Sequence, residues 1–382
     1  MRKCSCFLLC CLLSFVLAGC WDANEPERMV YVEGLGIDMK EGNYTVYLQI
    51  VNPSLVAKSE STGGNTQVKV VVGRASGKTL NEAIFNLYRS SQRRIFWGHL
   101  SFFVFSEEAL KEGGLQATVD LFDRYRETRY TTWIYATREP LFDLLSSVPP
   151  LEMSTYFSRL SDPEAAYKQS SFIRPVDMRE LLIALNEPPH EVAIPYVRLA
   201  KRTWETDEKQ DEIVQVDGLV LVTKEELKET LTYKKTKGLK WLNDDLKREE
   251  ISLSGDFSDI SILVDKIKIK KKPVIHNHQI RFQLSFEVKA VLREFVNRER
   301  LADIKKETER VLKKDVEDTY AEGLKADTDI YRLSEVLYRK DLNTWKAIEH
   351  NGKIPLTEDS LEKVSVKVEL IHGDKQRKIP TL

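Results

Sequence analysis

Residues 280–292 read Ile-Arg-Phe-Gln-Leu-Ser-Phe-Glu-Val-Lys-Ala-Val-Leu, and this stretch decides the fold of the C-terminal third of the chain. Every second side chain from position 280 to position 292 is apolar, while positions 281, 283, 285, 287 and 289 are polar or charged. Successive side chains of a strand point to opposite faces, so the alternation predicts a strand with one packed face and one wet face. Such strands are typical of antiparallel sheets that cover one side of a core.

The sequence on the C-terminal side of this strand predicts helices followed by a last strand. Apolar residues recur at helical spacing over 301–320 and again over 330–337, and strict alternation returns over 364–370. We therefore expect the C-terminal domain to be an antiparallel sheet covered by helices.

The sequence on the N-terminal side mixes strands and helices. Residues 100–105 form an apolar run that predicts a buried strand, whereas Gly34 and Gly36 are expected to break an earlier one. Thr79 followed by Glu82, and Thr223 followed by Glu226, each form the pattern of a capping box and each predict a helix start. The fold class expected for the whole chain is α+β, with several mixed α/β domains.

Three globular domains are predicted after an N-terminal export segment. The charged stretch at 204–212 indicates the first inner boundary, and Pro273 after a run of lysines the second. The expected divisions are a signal peptide at 1–19, a tether at 20–29, an N-terminal α/β domain at 30–203, a middle α/β domain at 204–272 and the sheet-plus-helices domain at 273–382.

The N-terminus has the form of a bacterial lipoprotein signal. Arg2 and Lys3 precede an apolar run that is shorter than the roughly 20 residues of a membrane span. Leu17-Ala18-Gly19-Cys20 then places a small-residue cleavage site directly before a cysteine. We expect the Cys20 thiol to become an S-diacylglycerol cysteine that carries fatty acids such as palmitate, and Cys20 to become the first residue of the mature lipoprotein.

Composition supports an exported body without disulfides. The five cysteines of the 382 residues are Cys4, Cys6, Cys10, Cys11 and Cys20, so none lies in the expected globular part. Removing residues 1–19 leaves 56 basic against 59 acidic residues, and this balance gives no support for nucleic-acid binding.

Motifs of catalysis and of cofactor binding are absent from the sequence, so we predict no enzyme, no cofactor and no metal. His276-Asn277-His278 is interpreted as a solvated loop rather than a metal pair, because no carboxylate stands at ligand spacing. The lysine run at 266–272 fits two roles equally well. It could contact anionic headgroups, or it could guard an edge strand against pairing.

Two further features allow a structural and a functional interpretation. His99 enters a predicted buried strand, where a hydrogen-bonded core histidine is the ordinary interpretation. The mixed charges at 120–129, which include Arg124, fit a salt-bridged surface or a docking surface, and the sequence does not decide between them.

Several motifs in one order resemble the Ger(x)C spore germination lipoproteins, the C subunits of nutrient germinant receptors. The resemblance extends along nearly the whole mature chain and is most specific near the N-terminus. It is carried by Cys20-Trp21-Asp22, Val32-Glu33-Gly34-Leu35-Gly36-Ile37-Asp38, Gln49-Ile50-Val51-Asn52-Pro53, Gly77-Lys78-Thr79-Leu80-Asn81-Glu82-Ala83, Trp97-Gly98-His99 and Asp120-Leu121-Phe122-Asp123-Arg124.

The resemblance implies a three-domain, mixed α/β protein with no known catalytic role. It implies two integral membrane partners, an A-type subunit and a transporter-like B-type subunit. It also implies a location on the outer face of the cell membrane, which is the inner membrane of the spore. The expected function is to assemble or couple these subunits so that nutrients trigger germination. Only Cys20 carries over with a defined role, and Asp38, His99 and Arg124 are candidates for structural or partner contacts.

Two other classes of function stay open. A solute-binding lipoprotein that captures the nutrient itself would favour two α/β lobes around a cleft. A surface hydrolase would need a convergent set of acid, base and nucleophile, and no such set stands out in the sequence.

Overall fold

A computed structural model describes residues 28–51, 70–125, 127–149, 154–205, 210–253, 257, 260–276, 279–294 and 300–372. Within them the chain forms two separate sheets with helices packed on each, so the predicted mixed α/β class is confirmed. None of the helices in these ranges is both long and apolar enough to cross a membrane.

The first sheet contains nine strands in the order β3-β2-β1-β5-β6-β7-β8-β9, with β4 paired to β1. Its central strands β1, β5, β6 and β7 run parallel, and the outer pairs are antiparallel. The strands are β1 Met29–Lys40, β2 Asn43–Val51, β3 Val71–Gly77, β4 Arg94–Phe96, β5 Phe102–Ser106, β6 Trp133–Thr137, β7 Glu191–Glu205, β8 Gln210–Thr223 and β9 Leu227–Thr232.

Both faces of the first sheet are covered. Along β5, Phe103 and Phe105 pack into a cluster with α1, α3 and α6, while Phe102 and Val104 pack into a second cluster with α4 on the opposite face. The apolar run predicted as a buried strand is therefore confirmed. The helices of this part are α1 Leu80–Tyr88, α2 Glu107–Lys111, α3 Gly114–Phe122, α4 Leu141–Ser146, α5 Pro163–Gln169 and α6 Met178–Asn186.

The second sheet has the order β10-β11-β12-β13, and helices cover one of its faces. Its inner strand β12 contains the alternating stretch of residues 280–292, and the alternate apolar side chains from Phe282 to Leu292 are buried. The elements are β10 Glu249–Ser252, β11 Ser261–His276, β12 Gln279–Glu294, α7 Leu301–Lys325, α8 Leu333–Lys340, α9 Leu342–Ile348 and β13 Leu361–His372.

The last strand corrects one detail of the expected sheet. β11 and β12 form an antiparallel hairpin, but β13 pairs parallel to β12. The three helices between β12 and β13 return the chain to the start of β12, and a crossover of this kind gives parallel neighbours. The sheet is thus rich in antiparallel pairs without being wholly antiparallel.

Both predicted inner boundaries fall inside strands of the structure. The division at 203/204 falls near the end of β7, which forms a hairpin with β8, and the division at 272/273 falls inside β11. A stretch of charged residues can extend a long hairpin as readily as it can link domains. We propose instead that the chain divides after β9, at the end of the first sheet.

Two local predictions fail and one succeeds. β1 continues through Gly34 and Gly36 rather than breaking there. Thr79 caps α1 as expected, with its hydroxyl 3.1 Å from the Glu82 amide. Thr223 accepts from the Glu226 amide at 3.1 Å, but this bond closes a hairpin turn before β9 and no helix follows.

Candidate functional site

The segment that joins β4 to β5 spans residues 97–101 and turns at Trp97, Gly98 and His99. The Trp97 indole is buried, and its Nε1 donates to the Tyr88 hydroxyl at 3.0 Å. Its backbone amide donates to a Glu127 carboxylate oxygen at 3.2 Å. A Cβ at Gly98 would stand 2.6 Å from the Phe96 ring, so only glycine fits where the turn folds over that ring.

His99 is exposed, so the interpretation as a core histidine is wrong. Its ring packs edge-on against Tyr31, with centroids 5.0 Å apart, and its Nδ1 lies 3.2 Å from the Tyr156 hydroxyl. Partial desolvation, aided by the positive charge of Arg129, lowers the pKa of His99 below its ordinary value. A neutral imidazole in an aromatic setting is suited to hydrogen bonding and stacking with a partner.

Glu33 lies beneath this turn and is fully buried. Val32 pairs with Ile50 and Gly34 pairs with Gln49, so Glu33 is the extra residue of a β-bulge in β1. Its two carboxylate oxygens accept from the Thr155 hydroxyl at 2.5 Å and the Ser161 hydroxyl at 2.6 Å. Desolvation raises the pKa of Glu33, and these two hydrogen bonds oppose the rise.

Arg124 lies on the other side of Trp97, in what we call the arginine groove. This open groove of about 600 Å³ is lined by Arg93, Arg94 and Arg124 together with aromatic side chains that include Tyr88. Arg93 and Arg124 are exposed, and Arg94 pairs with Glu127 at 3.3 Å. Guanidinium groups beside aromatic rings bind planar anionic groups such as carboxylates. The geometry of the groove thus fits a docking surface for an acidic or aromatic partner segment.

The structure brings two of the three candidate residues to one region. Trp97 lines the arginine groove, and His99 follows it by two residues on the way into β5. Asp38 lies seven residues along β1 from Tyr31, or about 23 Å at ~3.3 Å per residue. Its Oδ1 accepts from the Met39 amide at 2.9 Å, which is a local backbone contact.

Cys20, the expected lipidation site, lies outside the described residues, as does most of the His276-Asn277-His278 motif. Across the described residues, no three His, Cys, Asp or Glu side chains stand close enough together to hold a metal ion.

A second candidate site is a cavity between the two sheets, which we call the lysine cavity. It has a volume of about 570 Å³ and is lined by apolar side chains of α6, β7 and β8, by Lys271 of β11, and by charged side chains of both signs that include Asp329, Arg332 and Glu335. The Lys271 Nζ donates to the Tyr331 carbonyl at 2.9 Å, and desolvation lowers the pKa of its ammonium group. A cavity with apolar walls and a few charged groups has the character of a site for a small polar ligand.

Sequence reasoning missed Glu33, Thr155, Tyr156 and Ser161. A glutamate inside an apolar strand and directly before a glycine was a usable signal for Glu33. Its partners lie more than 120 positions away along the chain and carry no local signal.

Two family models match this chain over most of its length. The description "Spore germination protein N-terminal domain" covers residues 22–199, and "Spore germination B3/GerAC like, C-terminal" covers residues 217–373. The two models meet between residues 199 and 217, within the β7–β8 hairpin.

Individual relatives agree with the family models. The chain is 27% identical to spore germination protein KC of Bacillus subtilis, over 91% of this chain and 90% of that protein. It is 23% identical to spore germination protein B3 of the same organism, over 78% and 76% of the two chains. The crystal structure of the GerBC protein superposes with a TM-score of 0.56 at 17% identity, covering 88% of this chain and 97% of that one, and so shares the fold.

Proposed function

The chain belongs to the GerAC-like family of spore germination proteins, and on that premise we propose that it is the lipid-anchored C-type subunit of a nutrient germinant receptor. The observation that carries the proposal is the place where the family match begins. The first family model starts at residue 22, two residues after Cys20, so the sequence before the match is the expected lipoprotein signal, its cysteine and Trp21.

The anchor also orients the protein. Met29, the first residue of β1, is the ninth residue after Cys20, so the tether spans at most about 30 Å at ~3.3–3.6 Å per residue. β1 begins beside β4 and the turn at 97–99. In the proposed arrangement, the end of the first sheet that holds His99 and the arginine groove therefore stays near the bilayer on its outer face, which in a spore is the inner membrane.

We propose that this end contacts two integral membrane subunits, one A-type and one transporter-like B-type. His99, Arg124 and the aromatic side chains around them supply the contact surface. Asp38 lies at the far end of β1 and takes no part in this surface. The subunit has no catalytic role in this proposal, because the family models that it matches describe spore germination proteins and no class of enzyme.

Affinity purification from detergent-solubilised spore membranes tests the proposal. The native chain should co-purify two polytopic proteins, and Cys20→Ala should weaken membrane retention and slow germination. Cys6→Ala is the matched control, because it removes a cysteine that leaves with the signal. Purification of the native chain without membrane partners, or normal germination with Cys20→Ala, would contradict the proposal.

The lysine cavity supports a second candidate function, direct capture of a nutrient. Calorimetry of the purified chain with amino acids and other small carboxylates would detect such binding, and Lys271→Met should abolish it. Tight binding in the absence of any membrane partner would favour a solute-binding lipoprotein over an assembly subunit.

A further inference from the structure

The outer face of the second sheet, on the side away from the helices, is strongly basic. Residues directly opposite one another on paired strands share a face, and the cross-strand pairs Lys268–Glu287 and Glu287–Lys367 define this one. We call it the basic face. Its basic members are Lys266, Lys268, Lys270, Lys272, Arg281, Lys289, Arg293, Lys363 and Lys367.

Few acidic groups offset these charges. Glu250, Glu287 and Glu369 stand in register on the face, and Asp265 and Glu362 lie at irregularities beside it. Lys289 pairs with Glu369 at 3.6 Å. For the remaining lysines of the basic face, the part of the chain that the structure describes places no carboxylate within ion-pair distance. The basic face therefore carries a local excess of positive charge on a chain whose formal net charge is −1.

The lysines of β11 alternate between the two sides of the sheet. Positions 266, 268, 270 and 272 are exposed on the outer face, at a spacing of about 6.6 Å. Lys271 faces the other way, into the lysine cavity. This inward lysine, together with the Asp244 carboxylate that accepts from the Ile269 amide at 3.1 Å, already protects the edge of β11. Edge protection therefore leaves the outward row of lysines unexplained.

We propose that the basic face lies on the anionic headgroups of the bilayer that holds the lipid anchor. Lysine is a compact, hydrated charge that attracts a diffuse anionic surface, and it is depleted in the cores of protein–protein interfaces. The centre of the face carries Ser285 and Ser365 rather than the large aromatic anchors of a protein interface. Membrane attraction by several such lysines is additive.

The geometry of the chain makes this contact reachable. β1, which follows the tether, and β7 begin at the same end of the first sheet, because the central strands are parallel. Glu191, the first residue of β7, contacts the C-terminal part of the chain: it accepts from the Asp329 amide at 2.8 Å and pairs with Lys353 at 2.9 Å. The tether and the C-terminal part of the chain are thus at one end of the molecule. The inference rests on the proposed function in one respect, the lipid anchor at Cys20.

Vesicle co-sedimentation tests the proposal without the anchor. Residues 20–382 carrying Cys20→Ser are mixed with phosphatidylcholine vesicles, with or without phosphatidylglycerol. Binding should need phosphatidylglycerol and weaken with salt. The triple variant Lys268→Gln/Lys270→Gln/Lys272→Gln should bind about a hundredfold more weakly, since each lysine near an anionic surface contributes about fivefold.

The matched control is Lys306→Gln/Lys313→Gln/Lys314→Gln, which removes the same charge from exposed positions of α7. We expect its affinity for the vesicles to lie within about twofold of that of the parent chain, because its substituted lysines lie away from the basic face. Equal losses in the two triple variants, or no binding of the parent chain to anionic vesicles, would overturn the proposal. Because the assay contains neither anchor nor receptor subunits, a wrong assignment of receptor function would leave its result unchanged.

Discussion

The two sheets of this protein bury their strands in different ways, and their sequences differ accordingly. β5 of the first sheet is buried on both faces, and its residues are apolar without alternation. β12 of the second sheet is buried on one face, and its residues alternate. The comparison shows that the pattern of a strand reports how many of its faces are covered. The uncovered face of the second sheet is the basic face.

The largest expected effects on stability come from substitutions of neighbouring residues in β5 and in β12. Phe102→Ala and Phe103→Ala should each lower the free energy of unfolding by about 3–5 kcal/mol, because each empties a packed site on its own face. Phe286→Ala should cost about as much, whereas Glu287→Ala should change stability by less than about 0.5 kcal/mol. Urea denaturation measures all four variants. A small loss of stability in either Phe102→Ala or Phe103→Ala would show that the face of the first sheet on which that side chain lies is open.

A glycine of the first sheet gives the next largest effect. A Cβ at Gly34 would stand 2.2 Å from the Phe102 ring, so Gly34→Ala should cost about 2–3 kcal/mol through overpacking. In the Phe102→Leu background the same change should cost clearly less. Gly73→Ala is the control, since its Cβ would meet only a Leu87 methyl at 3.2 Å. Equal costs at the two glycines would argue against close packing of the Phe102 ring on β1.

Burial of Glu33 within the doubly covered sheet predicts a pH dependence. Its folded-state pKa is raised, so its favourable contribution is complete below the unfolded-state pKa and is lost as pH rises through the folded-state pKa. Glu33→Gln does not titrate. We expect the stability of Glu33→Gln relative to the native protein to increase as pH rises from ~4 to ~8, as followed by thermal unfolding. A constant difference between the two proteins across this range would contradict the assignment.

The smallest effect concerns a helix that covers the first sheet. Thr79→Ala should cost about 1 kcal/mol because it removes the hydroxyl that accepts from the Glu82 amide at the start of α1. Thr223→Ala has the same local pattern in an exposed hairpin turn and should cost only a few tenths of that amount. Circular dichroism during denaturation compares the two. A reversed order would mean that the cap contributes little to α1.

The strands were predictable where the physical cause is local. Alternation at 280–292 and the apolar run at 100–105 follow from burial alone, and the cap at Thr79 follows from a bond to a residue three positions away. Sheet direction is not local: the pattern of β13 is the same whether its neighbour runs parallel or antiparallel. Thr223 shows the same limit, because one hydroxyl can close either a helix turn or a hairpin turn.

The candidate site was only partly predictable for the same reason. Trp97-Gly98-His99 and Arg124 stood out as residue types with chemistry, and the fold places them on either side of one buried indole. The exposure of His99 and its contact with Tyr156 depend on a segment 57 positions away. The basic face emerged only when strand register separated Lys271 from the four outward lysines of β11.

Site-specific photo-crosslinking in dormant spores tests most directly the claim that the anchored end of the first sheet meets the membrane subunits. A photoreactive amino acid is placed at Arg124, and in a second strain at Lys40, which is exposed beyond Asp38 near the far end of β1. The account predicts adducts with a polytopic membrane protein from position 124 and none from position 40. Adducts from position 40 alone would reverse the orientation and contradict the account.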